Sequence, residues 1–334
     1  MPQSVDPDRA LSQFVLDLYR NARTRDPASF CLWVLRAMRG LVAFDSAMWG
    51  HGATAPTVEL YDVHLLDQPE AMLANYARVR QDDFLARAVG ECPGTTVELY
   101  SIIDRPAFLR TRMYRLHARQ FGMEHLLCTC IPEMPSGLLN VVSLWRADPQ
   151  QRFTERERAT KEFLMPHLVE TRRLNIFSAI RRRAEVDRSR AVHAAVCDRR
   201  GVLHEAEDGF GPLLQTEWPA WSGPGLPEPL TRAIRGGRTT SLTANGLRFT
   251  WAAVERRVLI TARAASPVDG LTARERGVAV QLAQGGTIKE VARTLALEPN
   301  TVRNHLSSEH RKLGVSNRAQ LVRALQEAGA LDVA

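Results

Sequence analysis

Apolar positions near the start of the chain fall at Leu11, Phe14, Val15 and Leu18, the i, i+3, i+4, i+7 spacing of one helical face. Asp26-Pro27 supplies an N-cap and a first helical residue, and Phe30, Trp33, Val34, Ala37 and Leu41 form a second stripe behind it. Residues 57–66 (TVELYDVHLL) alternate as a half-buried strand does. Helical patterns are predicted over about 69–89 and 105–121. Strand-like runs follow at 125–131 and 138–146, separated by Pro132, Pro135 and Gly137.

The pattern changes at Thr154. Thr154 and Glu157 have the spacing of a capping box, and a helix is predicted from there to about Arg190, interrupted at Pro166. Its apolar positions include Phe163, Leu164, Leu168, Ile176, Phe177 and Ile180, and it reads as a connection between units. AAVCD and GVLHEAE then read as two strands around a turn at 198–201. Residues 211–229, rich in Pro and Gly and holding Trp218 and Trp221, read as loop. Strands are predicted at 247–254 and 257–263, and Ser266, Pro267 and Gly270 as a linker.

Residues 271–328 read as four short helices. Thr272 with Glu275 and Thr287 with Glu290 are two capping boxes, Gly285-Gly286 closes the first helix, and Pro299 opens the third. Gly314 ends that helix, and Ser316 can cap the fourth. Val278, Leu282, Ile288, Val291, Ala292, Leu295, Val302, Leu306, Leu313, Leu321 and Leu325 recur at helical spacing as a small core. The short join Ala296-Leu297-Glu298 suits a helix-turn-helix.

Composition adds limits. The chain has 334 residues, 45% hydrophobic and 24% charged, which suits two or three globular domains and excludes disordered or fibrous classes. No apolar run approaches the roughly 20 residues of a membrane span. The first ten residues hold two Asp and no apolar block, so no signal peptide is expected. Five scattered Cys point to a reducing compartment, and a cytoplasmic location is expected. Cys128 and Cys130 alternate with Thr129 as on a strand; no second ligand pair follows them, and no metal site is expected. The histidines have no metal spacing, and no nucleophile elbow, phosphate loop or acid–base constellation is present. No enzyme activity, no cofactor and no membrane partner are therefore expected.

The net charge is +7, and only three of the 44 basic residues are Lys. Such a balance is compatible with a nucleic-acid partner. Yet residues 105–119 hold five Arg and no acid, whereas 266–334 hold nine basic against seven acidic residues, so charge alone does not locate the interface. The third C-terminal helix is more informative. Outside its core positions it offers Asn300, Thr301, Arg303, Asn304, Ser307, Ser308, Arg311 and Lys312, with no acid before Glu309. Arg reads guanine edges, Asn reads adenine, and hydroxyls and helix N-termini hold phosphate.

The motifs LTARE, KEVA, NTVRNHL, RKLGV and NRAQL, in order and without a gap, resemble the LuxR-type helix-turn-helix of bacterial transcription regulators. The resemblance implies that the third helix enters the major groove of double-stranded DNA and that the fourth pairs two subunits as a homodimer. It puts Arg303, Asn304 and Ser307 at base-reading positions, and Lys289, Thr301, His305 and Lys312 at backbone or supporting positions. Three residues depart from the pattern. Glu298 stands where a small hydroxyl residue is usual, Glu309 where an aliphatic one is, and His310 where an apolar one often is. A half-buried Glu309, or one turned out toward phosphate, is expected to lower stability or affinity by about 1–2 kcal/mol.

The front of the chain is similar to sensor segments of such regulators. Residues 1–153 resemble a GAF-like domain, 154–191 a connecting helix and 192–265 a PAS-like domain, ahead of the helix-turn-helix domain at 266–334. The implied fold class is multidomain: α+β sensor domains with antiparallel sheets flanked by helices, then an all-α four-helix domain. The stretch YARVRQDDF resembles the ligand wall of acyl-homoserine-lactone receptors, with Phe84 in place of their Pro. Trp49, Tyr61, Tyr76 and Asp83 are the pocket candidates for a small-molecule effector. Their alternative is ordinary core aromatics and a surface acid. The expected function is a DNA-binding transcription regulator. The competing reading is a sensor that acts by protein–protein contact through a helical module that does not bind DNA.

Overall fold

In the computed structural model, which describes residues 7–54, 58–184, 193–237, 239–254, 256–328 and 330–331, the first apolar stripe folds as helix α1 (Pro7–Ala22). Helix α2 (Pro27–Met38) begins where Asp26 accepts the Ala28 amide at 2.9 Å. Strands β1 (Ser46–Ala53) and β2 (Glu59–Leu66) follow, then α3 (Ala71–Ala77), a 3-10 turn at Arg80–Asp82 and α4 (Phe84–Glu91). Short β3 (Val97–Glu98), α5 (Arg105–Arg110) and a π-helical turn at Tyr114–Ala118 lead into β4 (His125–Glu133), β5 (Leu138–Arg146) and the long α6 (Glu155–Ala184). The strands form an antiparallel sheet in the order β2-β1-β5-β4-β3.

Side-chain parity sorts this sheet into two faces. Ala47, Trp49, Leu127, Val142 and Leu144 pack under α1, α2 and α6 with Phe30, Leu35, Met38, Leu164 and Leu168. The intervening positions, with Met48, Leu126 and Trp145 among them, turn toward α3, α5 and the π-helical turn, where Met72, Phe108 and Met123 lie. Two features differ from the sequence pattern here. Strand β1 has no sequence alternation because it is central and buried along nearly all of its length. The pattern at 69–89 breaks because Asp83 caps a new helix, accepting Ala86 N at 2.9 Å; the pattern at 105–121 starts at an Asp104 cap, which accepts Ala107 N at 2.7 Å, and breaks at Thr111, whose backbone is extended.

The second sheet is built from β6 (His193–Cys197), β7 (Leu203–Ala206), β8 (Ser241–Ala244), β9 (Leu247–Val254) and β10 (Arg257–Ala264), in the order β7-β6-β10-β9-β8. Between β7 and β8 run α7 (Phe210–Glu217) and α8 (Glu228–Gly236), so residues 211–229 are not all loop. Gly211 and Pro212 sit in the first turn of α7, where a missing amide hydrogen removes no helical bond, and Phe210 and Leu214 are buried.

One helix serves both sheets. The front of α6 covers the first sheet, and Ile176, Phe177 and Ile180 near its end pack on Ala194, Val196 and Leu259 of the second. The end of its predicted span, beyond residue 184, lies outside the described residues. Polar contacts reinforce the junction. Arg172, 3% exposed, pairs with Glu205, 1% exposed, at 2.5 Å, and His51 Nε2 lies 2.6 Å from the His204 carbonyl oxygen. Burial and the neighbouring Arg172 push the His51 pKa down to about 4, so its ring is neutral at pH 7. Gly223 closes against Ser136 so tightly that a Cβ there would stand 2.0 Å from the Ser136 carbonyl oxygen.

The C-terminal unit holds α9 (Ala273–Ala283), α10 (Ile288–Thr294), α11 (Pro299–Leu313) and α12 (Arg318–Glu327) around Val278, Leu282, Val291, Val302, Leu321 and Leu325. The expected linker is an ordered 3-10 turn at Pro267–Gly270. Asp269 there is held bidentately by Arg263 at 2.7 and 2.8 Å and accepts the Ser266 amide at 2.8 Å, with Arg248 and Arg276 at 3.7 and 3.6 Å. The turn thus joins β9 and β10 to α9 through one buried carboxylate.

Candidate nucleic-acid interface

The two capping boxes form as their spacing predicts. Thr272 and Thr287 each accept an N3 amide, and Glu275 and Glu290 accept the cap amides at 2.8 Å. After α10 the chain turns at Ala296, whose φ of 51° is left-handed, and Pro299 starts α11. Glu298 stands at the N-cap and makes no side-chain capping bond, so the first amides of α11 have no side-chain acceptor from that residue.

Helix α11 presents two different sides. Val302 and Glu309 are buried, and Leu306 and Leu313 pack with the core. Asn300, Arg303, Asn304, Ser307 and Arg311 are exposed, and their spacing is i, i+3, i+4, i+7, i+11. This stripe contains no acid and no large apolar residue. Arg303 Nη1 donates to Asn300 Oδ1 at 2.6 Å, which holds the guanidinium near the helix start. Lys289 is exposed on α10, and Thr301 and His305 are half-buried flanking the stripe.

Two of the expected contact residues are otherwise engaged. Lys312 Nζ donates to both carboxylate oxygens of Glu275 at 2.7 Å, and Ser308 Oγ donates to Glu275 Oε1 at 3.0 Å. One carboxylate therefore caps α9 and ties down the last turns of α11. These donors, Lys312 first, hold the Glu275 carboxyl well below the usual carboxylate range. Sequence spacing identified Glu275 as a capping residue only. The signal for its second role was the long basic side chain of Lys312, one turn after Ser308.

Glu309 does not turn outward. It has no exposed surface, and neither of its carboxylate oxygens meets a hydrogen-bond donor among the described residues. Burial, with Glu275 nearby, raises its pKa to about 7 against the partial opposition of Lys312.

The front of the chain holds a cavity of about 890 Å³ between the first sheet and the α3–α5 layer. Met48, Phe84, Phe108, Leu126 and Trp145 give it a mainly apolar wall, with Cys128 and Ser143 on the sheet side. Tyr76 and Asp83 line it, and Tyr76 donates to Asp83 Oδ2 at 2.7 Å. Burial and this anion raise the Tyr76 pKa, so the phenol keeps its proton. The other two pocket candidates lie elsewhere. Trp49 points to the opposite face, under α1, α2 and α6, with Nε1 donating to Asn140 at 3.2 Å, because its position on β1 has the other parity. Tyr61 packs toward the second sheet, its ring 4.7 Å from that of His204. The wall residues of β4 and β5 were readable from alternation once the strands were known. Among the described residues no cluster of His, Cys, Asp and Glu could hold a metal ion, and no helix is long and apolar enough to cross a membrane.

Residues 269–325 match the family described as bacterial regulatory proteins, luxR family. The spore germination protein GerE of Bacillus subtilis is 46% identical over 63 residues, 19% of this chain and 85% of that protein. The transcriptional regulatory protein UhpA of Escherichia coli is 51% identical over 57 residues, 17% of this chain. The chain spans only 29% of the length of UhpA. The crystal structure of Escherichia coli SdiA aligns with 96% of this chain and 99% of its own, at 13% identity and a TM-score of 0.37. With GerE matched over most of its length by the unit that carries the capping boxes and the exposed stripe of α11, the chain belongs to the luxR family of bacterial regulatory proteins.

Proposed function

We propose that the chain is a sequence-specific transcription regulator that lays α11 in the major groove of double-stranded DNA as a homodimer, one helix per half-site. The observation that carries this reading is the exposed, acid-free stripe Asn300, Arg303, Asn304, Ser307 and Arg311. In it Arg303 and Asn304 read base edges, with Ser307 beside them, while Lys289, Thr301, His305 and Arg311 meet the backbone. Lys312 and Ser308 support the helix through Glu275. A helix used only to dock on protein would be expected to offer apolar anchors, and this stripe offers none.

Selection of bound genomic fragments with the full chain tests the reading. Arg303→Ala is expected to weaken the selected duplex by about 1–3 kcal/mol and to relax its base preference, while Arg311→Ala weakens all duplexes alike. Equal binding by the parent and both variants would remove α11 from the interface.

In the same reading the two sheet units are GAF-like and PAS-like sensor domains. The cavity takes a small, largely apolar effector, whose polar end meets Tyr76 and Asp83; its volume lies within the range of ligand pockets. Native mass spectrometry of the chain drawn from its source is expected to find added mass that Phe108→Trp removes. A chain that carries no added mass and takes up none from a lipid extract would contradict the effector.

A further inference from the structure

The feature of α11 that DNA reading leaves unused is its one buried acid. We infer that Glu309 is a proton-dependent positioning residue: when neutral it lets α11 seat on α9, and when ionised it loosens that seat and weakens DNA binding. The inference rests on the proposed DNA-binding reading for its consequence, but the seat itself is a property of this chain.

The geometry gives the reason. Glu309 is fully buried, and neither oxygen has a donor among the described residues. An ionised carboxylate cannot stay in such a place without a partner. The cation that faces it is Lys312 on its own helix, and Lys312 already donates to both oxygens of Glu275, which faces Glu309 from α9. The turn at Pro267–Gly270 packs against α11 and brings Asp269, which is held by Arg263, with Arg248 and Arg276 close by. The charged residues of α10 (Lys289, Glu290, Arg293) and α12 (Arg318, Arg323, Glu327) are exposed. Ionised Glu309 must therefore compete with Glu275 for Lys312 or turn toward water. Either course disturbs the Glu275 contacts to Ser308 and Lys312, and with them the orientation of Arg303 and Asn304.

The direction follows from linkage. The carboxyl titrates near 7 in the folded chain and near the ordinary carboxylate value when unfolded, so the folded state holds the extra proton between those values. Stability is full at low pH and falls as pH rises through about 7. The comparison is with variants that keep His305 and His310 of the same helix, so that only residue 309 differs.

Hydrogen exchange of peptides covering 299–313, corrected for intrinsic exchange rates, is measured on the full chain at pH 6 and pH 8 for the parent, Glu309→Gln and Glu309→Leu. Protection in the parent is expected to fall about tenfold more than in Glu309→Gln. Glu309→Leu is expected to be protected alike at both pH values. Binding of a duplex selected by the parent at pH 6 should weaken by a similar factor in the parent alone. Equal pH dependence in the parent and both variants overturns the inference. A difference in exchange that persists when no duplex is bound at either pH supports the seat and overturns the DNA-binding reading instead.

Discussion

Replacing Arg172 by Met should destabilise the sheet units by about 3–5 kcal/mol, seen as an earlier urea midpoint for the full chain. Arg172 and Glu205 are 3% and 1% exposed and 2.5 Å apart, so the change strands a carboxylate in the interior. One ionisable neighbour is His51, whose Nε2 lies 3.7 Å from Glu205; Glu133 also faces that carboxylate. In the parent, burial and Arg172 keep that ring neutral. Without Arg172 the imidazole gains a partner and loses a repelling charge, so its pKa rises. A group whose folded pKa is raised stabilises below its unfolded pKa and loses that effect as pH rises. The deficit of Arg172→Met should therefore be smaller at pH 5 than at pH 8. Adding Glu205→Leu should recover most of the loss, because a buried pair contributes little beyond what its apolar replacement would. A loss below about 1 kcal/mol would mean that solvent reaches the pair and that the sheets do not meet as described.

How far the sequence could be read depends on what each element is fixed by. The C-terminal helices were legible because their starts and stops are local: Thr272 with Glu275, Thr287 with Glu290, Pro299 and Gly314 act within a few residues of themselves. The exposed stripe of α11 followed from the same periodicity. What was not legible depends on distant partners. Strand β1 carries no alternation because sheet neighbours and helices bury it from both sides. Asp83 was a pocket candidate with a surface acid as the alternative, and spacing did not show that it caps α4 and holds Tyr76 at the cavity wall. Trp49 and Tyr61 looked equivalent to Tyr76 as pocket aromatics, and only strand parity and the second sheet separate them. Lys161 lies in the helix that reads as a connection between units, yet it is fully buried and donates to Thr129 beneath the sheet. The burial of Glu309 was weighed against an outward turn, and packing decided it. The linker at 266–270 was read from Ser, Pro and Gly, while Arg248 and Arg263, which order it, lie on strands.

The account depends most on α11 meeting phosphate and base edges, and the salt dependence of duplex binding tests that directly. Lys289, Arg303 and Arg311 are exposed cations of the proposed contact face. Of these, Lys289 and Arg311 meet phosphate in the proposed reading, and two phosphate neutralisations per chain give a slope of log K against log salt of about −1.8, roughly a 12-fold loss between 50 and 200 mM. Two chains on paired half-sites double the slope, to a loss on the order of 10²-fold. The measurement is fluorescence anisotropy of a duplex selected from genomic fragments, titrated with the full chain across that salt range, for the parent and for the Arg303→Ala/Arg311→Ala variant. A steep fall in the parent, with a shallower slope and weaker binding in the variant, is the predicted result; affinity that is flat in salt and the same for both proteins would contradict it.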